Sequence, residues 1–329
     1  MKIRTYLATV FDGMAKGLFA SLIIGTIVKQ IGDLTGFAPL TAIGMAAQYM
    51  MGPCIGAGVA FARKTKQFTL ASAIVAGALG AGTITGAGAI AIGEPLGACI
   101  AAVAAVEAAS FIEGKTKLDL LAVPATALLV AGLLGIFVSP AISVMMKAIG
   151  SLVNTLAVIQ PLPMGILLGV VVGMVLTAPI SSAALCIAVG LDGLAAGAAL
   201  AGCCAQMIGF AVSSYRENKV SGLLVQGLGT SMVQVKNIIK NPWVWVPPTI
   251  ASAVCGALSA TVFRLESNAV GAGMGTSGLV GPFQTFAVMG VSSLVPMLVV
   301  YILVPAAVAL GVSELMRKKN LIKPGDLQL

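Results

Sequence analysis

Apolar residues run through this chain in long blocks that the charged residues only punctuate. Seven stretches hold no Asp, Glu, Lys or Arg: 34–62, 67–93, 120–146, 148–191, 193–215, 241–263 and 267–313. Each is longer than the roughly 20 apolar residues that a helix needs to cross a bilayer. The charges between the blocks are mostly basic and cluster at Lys2/Arg4, Arg63-Lys64/Lys66, Lys115/Lys117, Arg216/Lys219/Lys236/Lys240 and Arg317-Lys318-Lys319. Basic connections stay on the cytoplasmic side of a membrane, so an even number of crossings separates successive clusters. Paired crossings are therefore predicted over 15–33 and 39–62 (turning near Gly36–Pro39), over 68–90 and 96–112, and over 243–263 and 285–312. The interval 118–215 reads in more than one way. Residues 120–138 cross, and Ser139-Pro140 interrupts the helix. Residues 141–158, with Lys147 and Asn154, lie in the interface or form a broken helix, and 163–214 cross once or three times. The expected fold is an all-α integral membrane protein with eight to ten transmembrane helices, ten preferred, and both termini cytoplasmic.

The segment 216–240 has a different pattern. Val220, Leu224, Leu228, Val235 and Ile238/Ile239 recur near helical spacing beside Arg216, Lys219, Lys236 and Lys240. That pattern predicts an amphipathic helix in the cytoplasmic interface. Asn241-Pro242 follows as an N-cap and first helical position, and Trp243 and Trp245 stand where an aromatic belt holds a helix at the headgroups. VPATALLVAG (123–132) and VPPTIASAVCG (246–256) echo one another, which allows a parallel repeat over about 39–146 and 163–265; an accidental match is nearly as good an account. Residues 314–329 read as a short cytoplasmic tail.

Composition narrows the chemistry. Charged residues are 9% of the 329 and apolar residues 58%, which excludes a soluble globule and a disordered chain. With no histidine, phosphohistidine chemistry, a histidine triad and a histidine metal site are excluded within the chain. The six cysteines, without C-x-x-C spacing, read as small core hydrophobes. The net charge of +8 belongs to the membrane connections and does not indicate nucleic acid. No catalytic residue, metal ligand or cofactor site is expected.

Polar groups at membrane depth are costly and need a reason. Glu94 sits in GAGTITGAGAIAIGEPLGA (80–98), where six glycines disfavour a packed helix and Pro95 disfavours a helical conformation at Glu94. It is either a solvated turn residue or part of a broken helix that lines a polar cavity together with Thr83 and Thr85. A second Gly-rich interruption, NAVGAGMGTSGLVGPFQ (268–284), carries Asn268, Thr276, Ser277 and Gln284, neutral groups suited to hydroxyl-rich ligands. It is either a flexible outer loop or a substrate site. Glu107, Asp192, Gln206 and Glu266 are weaker candidates: an interface contact, a helix cap, no assigned role, and a local turn or ion pair.

GEPLG (93–97) resembles the Gly-x-x-Glu-Pro signature of the membrane-embedded IIC permeases of the bacterial phosphotransferase system. GAGMGTSGLVGP (271–282) and KNPWVWVPPTIAS (240–252) are similar to a stand-alone branch of that group, labelled toxin regulators after a perfringolysin regulator. The resemblance covers roughly 10–315. It implies a single polytopic IIC-like domain, 1–329, in the bacterial cell membrane, working as a homodimer. It further implies a sugar or sugar-like polyol held between Glu94 and the 273–282 loop, with Glu94 contacting sugar hydroxyls. A moving bundle then translocates the substrate, and separate IIA and IIB proteins phosphorylate it; the basic face of 216–240, with Lys236 and Lys240, is where such a partner would dock. An uncoupled or ion-coupled transporter on the same fold, or a membrane regulator without transport, is the alternative reading.

Overall fold

A computed structural model of the chain describes residues 3–83, 89–115 and 118–329. Lys2, Thr85 and Lys117, singled out above, lie outside the described residues. Those residues are almost wholly helical and include no β-strand. Among the described residues, six helices are long and apolar enough to cross a membrane: Ile3–Thr35, Pro95–Ile112, Asp119–Val138, Gly193–Ser213, Pro242–Thr261 and Ser277–Lys318. Shorter apolar helices join them, Met51–Ala62, Gln67–Ala81 and Pro161–Thr177, and an apolar stretch Val144–Ala157 continues the helix that begins at Asp119. The chain divides into two compact units, Met1–Met145 and Met146–Leu329.

Large apolar side chains stand both inside the helix packing and on its outer surface. In the first unit one buried cluster is built almost entirely of alanine (Ala76, Ala101, Ala105, Ala109, Ala127 and Ala131, with Val123), while Leu129, Leu133, Ile136 and Phe137, on the same long helix as Val123, are exposed. Lipid tails are as apolar as leucine, so helices associate in a membrane through close backbone approach rather than by hiding leucine. A Cβ added at Gly17 would stand 2.1 Å from the Cys54 carbonyl oxygen, and one at Gly56 would stand 1.9 Å from that of Ala73.

The predicted turn after the first crossing forms at Gly36, whose φ of 69° closes the Ile3–Thr35 helix in the left-handed conformation. Pro39 then sits in the first turn of Ala38–Tyr49. A π-helical turn, Phe19–Ile23, lies inside the first helix. The expected interruption at Ser139-Pro140 does not occur: Asp119–Ala157 is one continuous helix. A proline in a helix removes one hydrogen bond, and membrane helices tolerate that loss where neighbouring groups re-satisfy the backbone.

In the second unit, helices Pro161–Thr177, Gly193–Ser213 and Val246–Thr261 meet at glycines. A Cβ on Gly202 would lie 2.0 Å from the Gly169 carbonyl oxygen. Between the first two lies Ser182–Val189, at eight residues about 12 Å long and too short to cross about 30 Å of hydrocarbon.

The amphipathic helix expected over 216–240 is instead broken into pieces. Tyr215–Leu224 contains Lys219 in a non-helical conformation. A π-helical turn Val225–Gly229, a 3₁₀ turn Ser231–Gln234 and a short helix Val235–Lys240 follow. The hydrophobic periodicity missed the reason, which is that Gln226, Gln234 and Asn237 point inward and are buried. Gln226 Nε2 donates to Ser214 Oγ at 2.7 Å, Gln234 Nε2 to Gln226 Oε1 at 2.9 Å, and Asn237 Nδ2 to Gln234 Oε1 at 2.6 Å.

The last residues of the 314–329 tail are packed against the rest of the second unit. Ile322 and Leu327 are buried, and the Leu327 carbonyl accepts from Asn218 Nδ2 at 2.8 Å and Gln234 Nε2 at 3.1 Å.

Candidate functional site

The first candidate segment begins where the Gln67–Ala81 helix stops at Gly82, which has a φ of 70°. The chain returns to that helix end through two backbone bonds, Ala91 N–H to the Thr83 carbonyl at 2.8 Å and Glu94 N–H to the Ala81 carbonyl at 2.9 Å. Gly93, with a φ of 81°, passes so close to Ala81 that a Cβ would stand 2.3 Å from its carbonyl oxygen. Glu94 is extended, as Pro95 requires, and occupies the N-cap position of Pro95–Ile112 without capping it through its side chain. It is half-buried. Thr83 is buried, and its hydroxyl has no hydrogen-bond partner among the described residues. Thr83 and Glu94 are thus brought to one turn beside the 67–81 helix end.

The second segment is not a flexible outer loop. Gly271–Gly273 and Gly275–Ser277 are buried, and a Cβ on Gly273 would stand 2.4 Å from the Ser182 carbonyl oxygen. Ser182 Oγ in turn donates to the Gly273 carbonyl at 2.7 Å. Asn268 caps Ala269–Ala272, its Oδ1 accepting from Gly271 N–H at 3.0 Å, and its Nδ2 donates to Gln284 Oε1 at 2.7 Å. The Thr276 hydroxyl donates to the Gly227 carbonyl. Ser277 and Ser267, both buried, have hydroxyls without partners among the described residues. An unsatisfied buried hydroxyl costs about 1–3 kcal/mol, so its presence asks for a partner the chain does not supply.

Gln206, a weak candidate by sequence, is the centre of a buried network in this unit. Its Oε1 accepts from Trp245 Nε1 at 3.0 Å and Thr177 Oγ1 at 3.1 Å. Its Nε2 faces Ser252 Oγ at 3.2 Å and Thr249 Oγ1 at 3.3 Å. Thr177 Oγ1 lies 2.8 Å from Ser231 Oγ. All four hydrogen-bonding positions of the amide are filled, which makes it a fastening rather than an open contact. Trp245 therefore turns its N–H inward, while Trp243 is exposed as a belt residue would be.

The remaining candidates divide plainly. Asn241 caps the Pro242–Trp245 turn as predicted, accepting from Trp243 N–H at 3.2 Å. Glu107 accepts from the Tyr6 hydroxyl at 2.8 Å and pairs with Arg63 at 2.9 Å. Asp192 stands at the N-cap of Gly193–Ser213 but makes no side-chain cap bond. Among the described residues, Glu266 forms no ion pair with Arg264; its N–H faces Met289 Sδ at 3.1 Å. Lys240 is exposed and Lys236 half-buried on Val235–Lys240.

Long apolar helices, small buried residues and glycine-broken segments with buried neutral hydroxyls define a multi-spanning, all-helical membrane protein. Its sequence matches the family described as "Phosphotransferase system, EIIC" over residues 8–329. The chain belongs to that family, the sugar-permease component of the phosphotransferase system. No curated relative and no solved structure matches it.

Proposed function

We propose that this chain is a IIC permease for a sugar or sugar-like polyol, recognised through hydroxyl groups. The observation that carries this reading is the buried Ser277 hydroxyl, left without a partner in a glycine-broken membrane segment. A substrate hydroxyl supplies the missing partner, and nearby Thr276, Asn268 and Gln284 keep the segment in shape. In the first unit, the unpartnered Thr83 hydroxyl and the Glu94 carboxylate form a second set of the same chemical character. Thr85 belongs with it by sequence alone. Each set is neutral or singly acidic, which suits polyols better than anions.

Movement of a helix bundle carries the substrate, and separate IIA and IIB proteins phosphorylate it. Lys236 and Lys240 form the basic face at which such a partner docks. Both termini lie in the cytoplasm, and the membrane is the bacterial inner membrane.

Uptake of radiolabelled sugars and polyols, with and without candidate IIB partners, tests the reading. A substrate that accumulates only with an intact phosphoenolpyruvate relay supports it. Accumulation that is driven by an ion gradient alone replaces it with secondary transport.

A further inference from the structure

The connection between Met51–Ala62 and Gln67–Ala81, with the end of Pro95–Ile112 beside it, encloses a cleft of about 290 Å³ lined by Arg63, Lys64, Thr65, Lys66, Ser110 and Glu113, with Val106 behind them. Each polar group there has a distinct task. Arg63 is fixed, with Nε and Nη2 both 2.9 Å from Glu107 Oε1 and its guanidinium 4.6 Å from the centre of the Tyr6 ring. Glu113 Oε2 accepts from the Thr69 hydroxyl at 2.7 Å. Lys64 and Lys66 are exposed, and neither ammonium has an ion-pair partner among the described residues. Among the described residues, Arg63, Lys64, Lys66 and Lys115 bring four positive charges to these helix ends against Glu107, Glu113 and Asp119, which leaves one in surplus.

A second feature marks the same helix ends. Phe61, Phe68 and Phe111 are all exposed, an apolar fringe beside a cationic cleft. Exposed aromatics next to basic side chains belong at the depth where acyl chains give way to headgroups. The cleft stands at the small end of the range for ligand pockets, about 300–1,000 Å³, and has room for one phosphate group. A phosphodiester carries a single negative charge, which matches the surplus.

We propose that this cleft binds an anionic phosphate, with Lys64 and Lys66 as its direct contacts, and that an anionic phospholipid headgroup supplies it. The site is separate from both hydroxyl-bearing segments and stands or falls without them.

The test uses the full chain in detergent and measures binding of three probes: dioctanoyl phosphatidylglycerol, dioctanoyl phosphatidylcholine and inorganic phosphate. Phosphatidylglycerol is expected to bind saturably, and Lys64→Gln/Lys66→Gln to weaken it about thirtyfold, from about fivefold for each basic side chain. Lys318→Gln/Lys319→Gln, elsewhere on the surface, should leave it at the wild-type value. Inorganic phosphate binding that the same lysine pair controls keeps the anion site and assigns it to free phosphate. Equal binding of phosphatidylcholine, no saturable binding of either phosphate, or binding that ignores the Lys64/Lys66 change in a variant with wild-type melting overturns the proposal.

Discussion

Arg317 and Glu217 meet through two parallel contacts, Nη1 to Oε1 at 2.9 Å and Nη2 to Oε2 at 3.0 Å, with the side chains only 10% and 9% exposed. The same guanidinium also donates to the Ser213 carbonyl at 3.0 Å. This fork joins Val304–Lys318 to Tyr215–Leu224 and sets the end of the long helix against the broken segment. Two-point guanidinium–carboxylate pairs fix orientation as well as distance.

Removing one partner strands the other charge. Arg317→Ala should therefore destabilise the protein by about 3–5 kcal/mol. Arg317→Leu combined with Glu217→Leu should be milder, because no buried charge is left alone. Thermal or chemical denaturation in detergent reads both. Equal damage in the single and double variants would show that the fork's geometry, rather than its charge balance, is what the fold needs.

Ser277→Ala should separate stability from binding. The hydroxyl has no partner among the described residues, so its removal is expected to leave the melting temperature unchanged or raise it. Substrate affinity should drop about fivefold, the value of one neutral hydrogen bond of about 1 kcal/mol. A fall in stability with unchanged affinity would mean that the hydroxyl serves the fold.

Glu94→Gln keeps the shape of the side chain and exchanges one acceptor oxygen for a donor. If the carboxylate accepts from substrate hydroxyls, affinity should fall between about tenfold and a hundredfold, as loss of a charged hydrogen bond of about 1.5–3 kcal/mol requires. Equilibrium binding on purified protein is the measurement. Wild-type affinity removes Glu94 from the site.

Gly202→Ala tests the close backbone packing. Its Cβ would stand 2.0 Å from the Gly169 carbonyl oxygen, so helices Pro161–Thr177 and Gly193–Ser213 must separate. The cost is expected to be about 1–3 kcal/mol or more. Gly132→Ala, with open space around it, should instead be neutral or stabilising, since alanine is the better helix former by about 1 kcal/mol.

Cysteines introduced at Lys66, Lys240 and Lys318, in a background free of the native six, should react with a membrane-impermeant label only from the cytoplasmic side. Labelling of any of them from outside intact cells would reverse the parity on which the orientation rests.

Charge spacing made the membrane class and most helix positions readable, because a charge inside a bilayer is costly enough to leave long gaps. Gly36 and Asn241 were readable for a local reason: a left-handed stop and a side-chain cap each depend on one residue and its immediate neighbours. The network around Gln206 was not readable. A single glutamine in an apolar helix gives no sign of the four groups, distant in sequence, that surround it. The broken path of 216–240 was hidden likewise, since its apolar spacing matched a helix while Gln226, Gln234 and Asn237 were committed to partners that only the fold supplies. For the candidate site, the glycine runs and their hydroxyls could be picked out in the sequence. The burial that leaves Thr83 and Ser277 unpartnered could not, because periodicity does not distinguish an outer loop from one packed against neighbouring helices.

The inward bond of Trp245 to Gln206 also equips the protein with an optical probe. The chain has two tryptophans; Trp243 is 52% exposed and Trp245 is fastened to the buried amide. Replacing Trp243 with phenylalanine leaves one indole, whose emission wavelength and quenching depend on whether its N–H stays bonded. Any rearrangement that loosens helix Gly193–Ser213 from Val246–Thr261 then becomes visible as a change in fluorescence, with no label attached.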